Sequence, residues 1–231
     1  MKDDQDKKRR VILRVILLLI GVVLVALGIA LSVKSELGVS AISSFPYVIS
    51  VFTGVNLSIM LFIHNIVLVL IECLLLGRDF KFITLAQIPF AFMLSTSLNV
   101  TERILTFSVS DSAYWVRFAV MLGSICSFAV GIYLLVEANL VVNIPEGLNR
   151  SITNRFQVRF SRVKIGIDLT HVGLSALLGL IFFGRIIGVR EGTLFSATLT
   201  GWLIGVIPVS FKKWLHRKCY GETADMSKIV R

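Results

Sequence analysis

Long apolar runs alternate with short polar stretches over almost the whole chain, and that alternation predicts its elements. Runs at 11–33, 57–76, 83–100, 118–136, 165–183 and 193–211 each approach the roughly 20 residues that a helix needs to cross about 30 Å of hydrocarbon. Six membrane-crossing helices are therefore expected. A cleavable secretory leader is the rival reading of the first run, but such leaders carry only roughly 7–15 apolar residues. An uncleaved first span fits the length better.

Two connections, 35–56 and 137–162, are longer than helix hairpins need, and each opens on small or polar residues before an amphipathic stretch. The second carries Arg150, Arg155, Arg159 and Arg162, and four arginines are too costly to push through hydrocarbon. Both connections are read as re-entrant or interfacial half-helices. Sliding the chain on itself by 103 residues lays 26–39 over 129–142 with seven of fourteen positions identical, among them Gly28 over Gly131 and Val39 over Val142. Without a gap, the same offset superposes the two unusual connections, Ser58 on Ser161 and Asn65 on Asp168. The expected fold is an all-α polytopic membrane protein with six transmembrane helices in two repeats of three, each with a half-helix after its first span. Three crossings are an odd number, so the second repeat must be inverted relative to the first. The domain boundaries follow as a tail at 1–10, repeats at 11–110 and 111–211, and a basic tail at 212–231.

Composition agrees: 55% of residues are hydrophobic and 16% charged, and the mean hydropathy is +0.84. The formal charge of +10 would suggest nucleic acid in a soluble protein, but the 24 Lys and Arg lie between and beyond the apolar runs. With the N-terminal tail inside and sides alternating, eighteen fall inside, five outside, and Arg14 lies within the first span. That bias predicts both termini in the cytoplasm and contact with a lipid bilayer. Cys73, Cys126 and Cys219 have no close spacing, so neither a disulfide framework nor a metal site is expected. No Walker loop, HExxH or GxSxG is present, which argues against ATP-driven pumping and hydrolase chemistry by this chain. No cofactor is expected.

Candidate chemistry lies at the half-helix starts and inside the spans. Ser40, Ser43 and Ser44 open the first half-helix, and Asn143, Glu146 and Asn149 the second; two such ends facing one another would suit a polar or anionic solute. Plain N-capping by Asn143 with Pro145 behind it is the structural alternative. His64, Asn65 and Glu72 share one face of their span, and Asp168 and His171 stand three apart in theirs. Ionisable groups in hydrocarbon normally face a bundle interior, so Glu72 or Asp168 is a candidate proton carrier with a neighbouring histidine. Arg155, Arg159 and Arg162, beside Phe156 and Phe160, read as a basic stripe for anionic headgroups. Arg190 and Glu191 are candidates for an ion pair that positions or gates the last span.

The strings LGVSAISSFPYVIS from Leu37, LLLGRDF from Leu74, NIPEGLNRSI from Asn143 and GVREGT from Gly188 together resemble the bacterial YczE/YyaS/YitT-type integral membrane proteins. That resemblance, covering about 28–205, implies a multi-pass protein of the bacterial cytoplasmic membrane without specifying a substrate. The leading expectation is an ATP-independent transporter or channel for a small polar or anionic solute. A membrane accessory protein serving a protein partner or a homo-oligomer, and a lipid-modifying membrane enzyme, are the alternatives.

Overall fold

In a computed structural model, the described residues are 2–77, 82–109, 111–206, 215 and 218–220. All regular structure among them is helical. The helices are α1 (Lys2–Ser35), α2 (Ala41–Thr53), α3 (Leu57–Leu76), α4 (Gln87–Ile104), α5 (Tyr114–Ala138), α6 (Ile144–Phe156), α7 (Phe160–Phe183) and α8 (Glu191–Val206), with a 3₁₀ turn at Phe82–Ala86 before α4. By length and composition, Lys8–Ser35, Leu57–Leu76, Tyr114–Ala138 and Phe160–Phe183 can each cross a membrane. The other two expected spans differ. The third begins four residues later than the apolar run, and α4 carries Gln87, Asn99, Glu102 and Arg103, which make it too polar to rank with those four. The sixth starts at Glu191, and its expected end at 207–211 lies outside the described residues, as does most of the tail at 212–231.

Polarity is distributed inside out. Ile59, Ile63, Val67, Leu70 and Leu74 line the outer face of α3, and Ile165, Leu169, Leu177, Leu180 and Ile181 that of α7. Ser43, Ser44, Ser58, His64, Asn65, Glu72, Gln87, Ser124, Asn149, Ser151, His171 and Ser175 are buried. Such an apolar exterior fits lipid rather than water.

Helices α1 and α5 form the central pair and run antiparallel: Arg14 meets Ala138, Leu24 meets Ser127, Gly28 meets Ser124, and Ser35 meets Arg117. Small residues allow the close approach. A Cβ on Gly28 would come within 2.9 Å of Phe128 N and 3.0 Å of Ser124 O; one on Gly131 would come within 2.8 Å of Val25 N and 3.0 Å of Gly21 O. Advancing each residue of the second contact set by 103 positions, or lowering it by the same amount, gives the first.

That offset recurs throughout. The two 13-residue helices, α2 and α6, start at 41 and 144. Glu36 and Asn139, the equivalent residues after α1 and α5, both have φ in the left-handed region, at 54° and 44°. So do Gly54 and Gln157 after the short helices, at 70° and 53°. Packing follows suit: α2 lies on α7 and α6 on α3, while α4 lies on α1 and α8 on α5.

Arg10 of α1 and Tyr220 meet at the α5 C-terminal end of the central pair. Arg10 Nη1 donates to Tyr220 O at 3.2 Å, and Tyr220 OH donates to Glu137 O at 2.9 Å.

Candidate functional site

The half-helix starts do not face one another, contrary to the sequence expectation. The turn before α2 is bound to the entry of α8, through Val39 N donating to Gly188 O and Gly192 N donating to Leu37 O. The start of α6 lies beside Asn139 and Glu72 at the other end of the α1–α5 pair. The cause is the crossed packing, which lays each short helix on a long helix of the other half. Nor do the side chains cap: Ser40 and Asn143 occupy the N-cap positions without a side-chain cap bond. Ser40 Oγ donates instead to Ser43 Oγ at 2.9 Å, and buried Ser44 Oγ donates to Ala41 O.

Across the middle, α3 and α7 meet through two histidines. His64 Nε2 and His171 Nε2 are 2.9 Å apart, and His171 Nδ1 lies 2.8 Å from Ile167 O. A carbonyl only accepts, so His171 Nδ1 carries a proton, and the contact between the two Nε2 atoms is bridged by a single proton. His64 Nδ1 is buried and has no hydrogen-bond partner among the described residues. Phe45 of α2 lies against both rings, with centroids at 5.9 and 6.3 Å.

Glu72, two turns further along α3, anchors a second polar cluster. It is only 5% exposed; its Oε2 accepts from Gln87 Nε2 at 2.9 Å and its Oε1 from Ser151 Oγ at 3.0 Å. Gly147 makes this possible, because a Cβ there would lie 2.8 Å from Glu72 Oε2 and 2.7 Å from Gln87 Nε2. The cluster borders a cavity of about 290 Å³ that Thr84, Asn139, Val142 and Arg150 also line. A smaller cavity of about 60 Å³ adjoins Arg150 and holds Asn143 and Glu146. Burial holds the Glu146 carboxyl above its usual range, against the lowering pull of Arg150 and Lys164. Asn149 is buried with Oδ1 unpartnered among the described residues, as is Thr153 Oγ1 one turn on.

A third cavity, about 280 Å³, opens beside the first half-helix, lined by Glu36, Gly38, Val39, Tyr47, Arg185, Ile187 and Arg190. Adding 103 to Glu36, Gly38, Val39 and Tyr47 gives Asn139, Val141, Val142 and Arg150, and subtracting it from Ile187 and Arg190 gives Thr84 and Gln87; all six line the cavity beside α6. The two hollows thus occupy corresponding places at opposite ends of the α1–α5 pair.

Other expected contacts are different. Asp168 does not join His171 or the buried Asn65; its Oδ2 accepts from Lys164 Nζ at 3.2 Å, and its side chain is 23% exposed. With a countercharge one turn away on its own helix, the carboxylate has no need of the interior. Arg190 makes no ion pair with Glu191: its Nη1 donates to Glu36 O at 3.0 Å, while Glu191 begins α8. Arg155, Arg159 and Arg162 are not one helical stripe, because α6 ends at Phe156 and α7 begins at Phe160. Arg14 and Arg117 are two further residues of the site that helix-face spacing does not single out. Arg14 Nε and Nη2 donate to Ala138 O and Asn139 O at 2.8 and 2.7 Å; Arg117 Nε and Nη2 donate to Ser35 O and Glu36 O at 3.1 and 3.0 Å. Extending the 103-residue offset a dozen positions upstream would have paired them.

Residues 12–208 match the model of DUF6198, a family of unknown function, and the chain belongs to that family. The match carries that description and not the YczE/YyaS/YitT-type name. No curated protein and no solved structure matches the chain.

Proposed function

We propose that this DUF6198 member is an ATP-independent membrane transporter for a small polar solute, built from two inverted halves that rock about the α1–α5 pair. The observation that carries the reading is the pair of corresponding cavities at opposite ends of that pair, one beside α2 and one beside α6. An inverted duplication gives such a protein two nearly equivalent packings, in which one hollow closes as the other opens. The reciprocal contacts of Gly28 and Gly131 support the two-fold relation, since an isologous interface repeats each contact with the partners exchanged.

In this reading six helices cross, with α4 and α8 completing the four long apolar ones, and α2 and α6 enter only part of the way. The bond between Arg10 and Tyr220 supports an even number of crossings. The Lys and Arg bias supports an orientation with both termini and the cavity beside α6 on the cytoplasmic side. Glu72 and the His64–His171 pair are the polar groups along the route. A route through the bundle interior needs charged and hydrogen-bonding side chains there, which lipid contact alone would not favour.

The test is solute uptake into proteoliposomes offered a mixture of small metabolites, with mass spectrometry of the lumen. Time-dependent enrichment of a solute that is lost in Glu72→Leu supports the proposal. A lumen identical to that of protein-free vesicles for every solute overturns it.

A further inference from the structure

We propose that the 290 Å³ cavity beside α6 binds a small zwitterion of the amino-acid type, its carboxylate at Arg150 and its ammonium at Glu72 and Gln87. The inference deepens the transport reading, on which it rests for the identity of this cavity as the solute site.

Groups of opposite charge line this one hollow without pairing: no ion pair joins Glu72 to Arg150, although Ser151, which hydrogen-bonds Glu72, is the residue next to Arg150. Glu72 keeps lone pairs beyond the two that Gln87 and Ser151 occupy. Gln87 is 3% exposed, its Nε2 is committed to Glu72, and its Oε1 is a buried acceptor with no donor among the described residues. An unpaired buried acceptor is costly, and a ligand N–H supplies the missing partner. An ammonium satisfies both this oxygen and the Glu72 carboxylate. At the other pole Arg150 is an exposed residue that makes no ion pair with Glu146 one turn before it, although it pulls on that carboxyl electrostatically, and its planar fork suits a carboxylate.

Each alternative leaves one pole unmet. A bare cation would be repelled by Arg150 and an anion by Glu72, and a hollow of this volume is far larger than a desolvated metal ion. A ligand carrying both charges answers both ends.

The test is thermal melting of the full chain in detergent with each of the twenty proteinogenic amino acids. Every amino acid that stabilises is then compared with its decarboxylated amine and its deaminated acid. At least one amino acid should raise the midpoint, and removal of either charge should weaken apparent affinity by about tenfold or more. Arg150→Gln should leave the ligand-free melt unchanged and make the amino acid and its amine bind alike. No shift with any amino acid, or an equal shift with the acid or the amine alone, overturns the proposal. Melting needs no transport, so the two readings fail separately. Binding without uptake would sink transport alone, whereas uptake of some solute with no amino-acid shift would sink only the zwitterion.

Discussion

Ser127 Oγ donates to the carbonyl of Leu24 at 2.8 Å, and the two residues stand 103 positions apart. Each is the other's counterpart in the proposed duplication, and two counterparts in direct contact must lie close to the axis that relates them. Around this point Gly28 touches Ser124 and Phe128 as Gly131 touches Gly21 and Val25. In the proposed arrangement the axis would pass through the middle of the α1–α5 pair, and a motion of one half against the other would pivot here.

Substituting valine at Gly28 or Gly131 should destabilise the protein, since the added carbons meet backbone that cannot give way. Overpacking of this kind costs about 1–3 kcal/mol. Thermal unfolding in detergent should show similar losses at the two positions. Gly123→Val, where a Cβ meets nothing within 4 Å, should leave the midpoint nearly unchanged.

Arg14 and Arg117 should be equally sensitive. Each supplies two charged hydrogen bonds to the last carbonyls of the opposing helix, where the helix dipole also favours a cation. Replacement of either by methionine should cost about 2–3 kcal/mol in the same melts. An effect at one position and none at the other would break the correspondence.

Gln157→Gly should stabilise the chain. Gln157 holds φ 53° after α6, while Gly54 occupies the matching position after α2. Relief of left-handed strain in a non-glycine residue is worth about 1 kcal/mol, less the entropy that glycine adds to the unfolded chain. A lowered midpoint would mean that the bond from Gln157 Nε2 to Asn154 O matters more than the strain.

Glu72→Leu should lower stability by about 1–3 kcal/mol, because Gln87 and Ser151 lose the acceptor they share. Ser151→Ala should cost less, since Glu72 retains Gln87. Chemical denaturation of the three proteins gives the ordering directly.

Four of the six expected spans were legible because hydrophobic runs of membrane length are a strong signal, and the 103-residue offset was legible from Gly28, Val39 and their counterparts. Helix faces were read with partial success. His64, Glu72 and His171 are buried as their spacing implied, but spacing could not say that Asp168 finds Lys164 on its own helix. Pairing between the halves was not legible, because crossed packing is decided by tertiary contacts. Thus the two short helices were expected to face one another, whereas each lies against a long helix of the other half. Gln87 was hidden for a different reason: its partner, Glu72, is fifteen residues away across a turn, beyond any helical periodicity.

The most direct test of the inverted arrangement is the sidedness of its two cavities. With the native cysteines replaced, Val51→Cys reports on the cavity beside α2 and Val142→Cys on the one beside α6. A membrane-impermeant maleimide should label Val51→Cys from outside intact cells and Val142→Cys only in inside-out vesicles. Labelling of both from the same side would contradict the account.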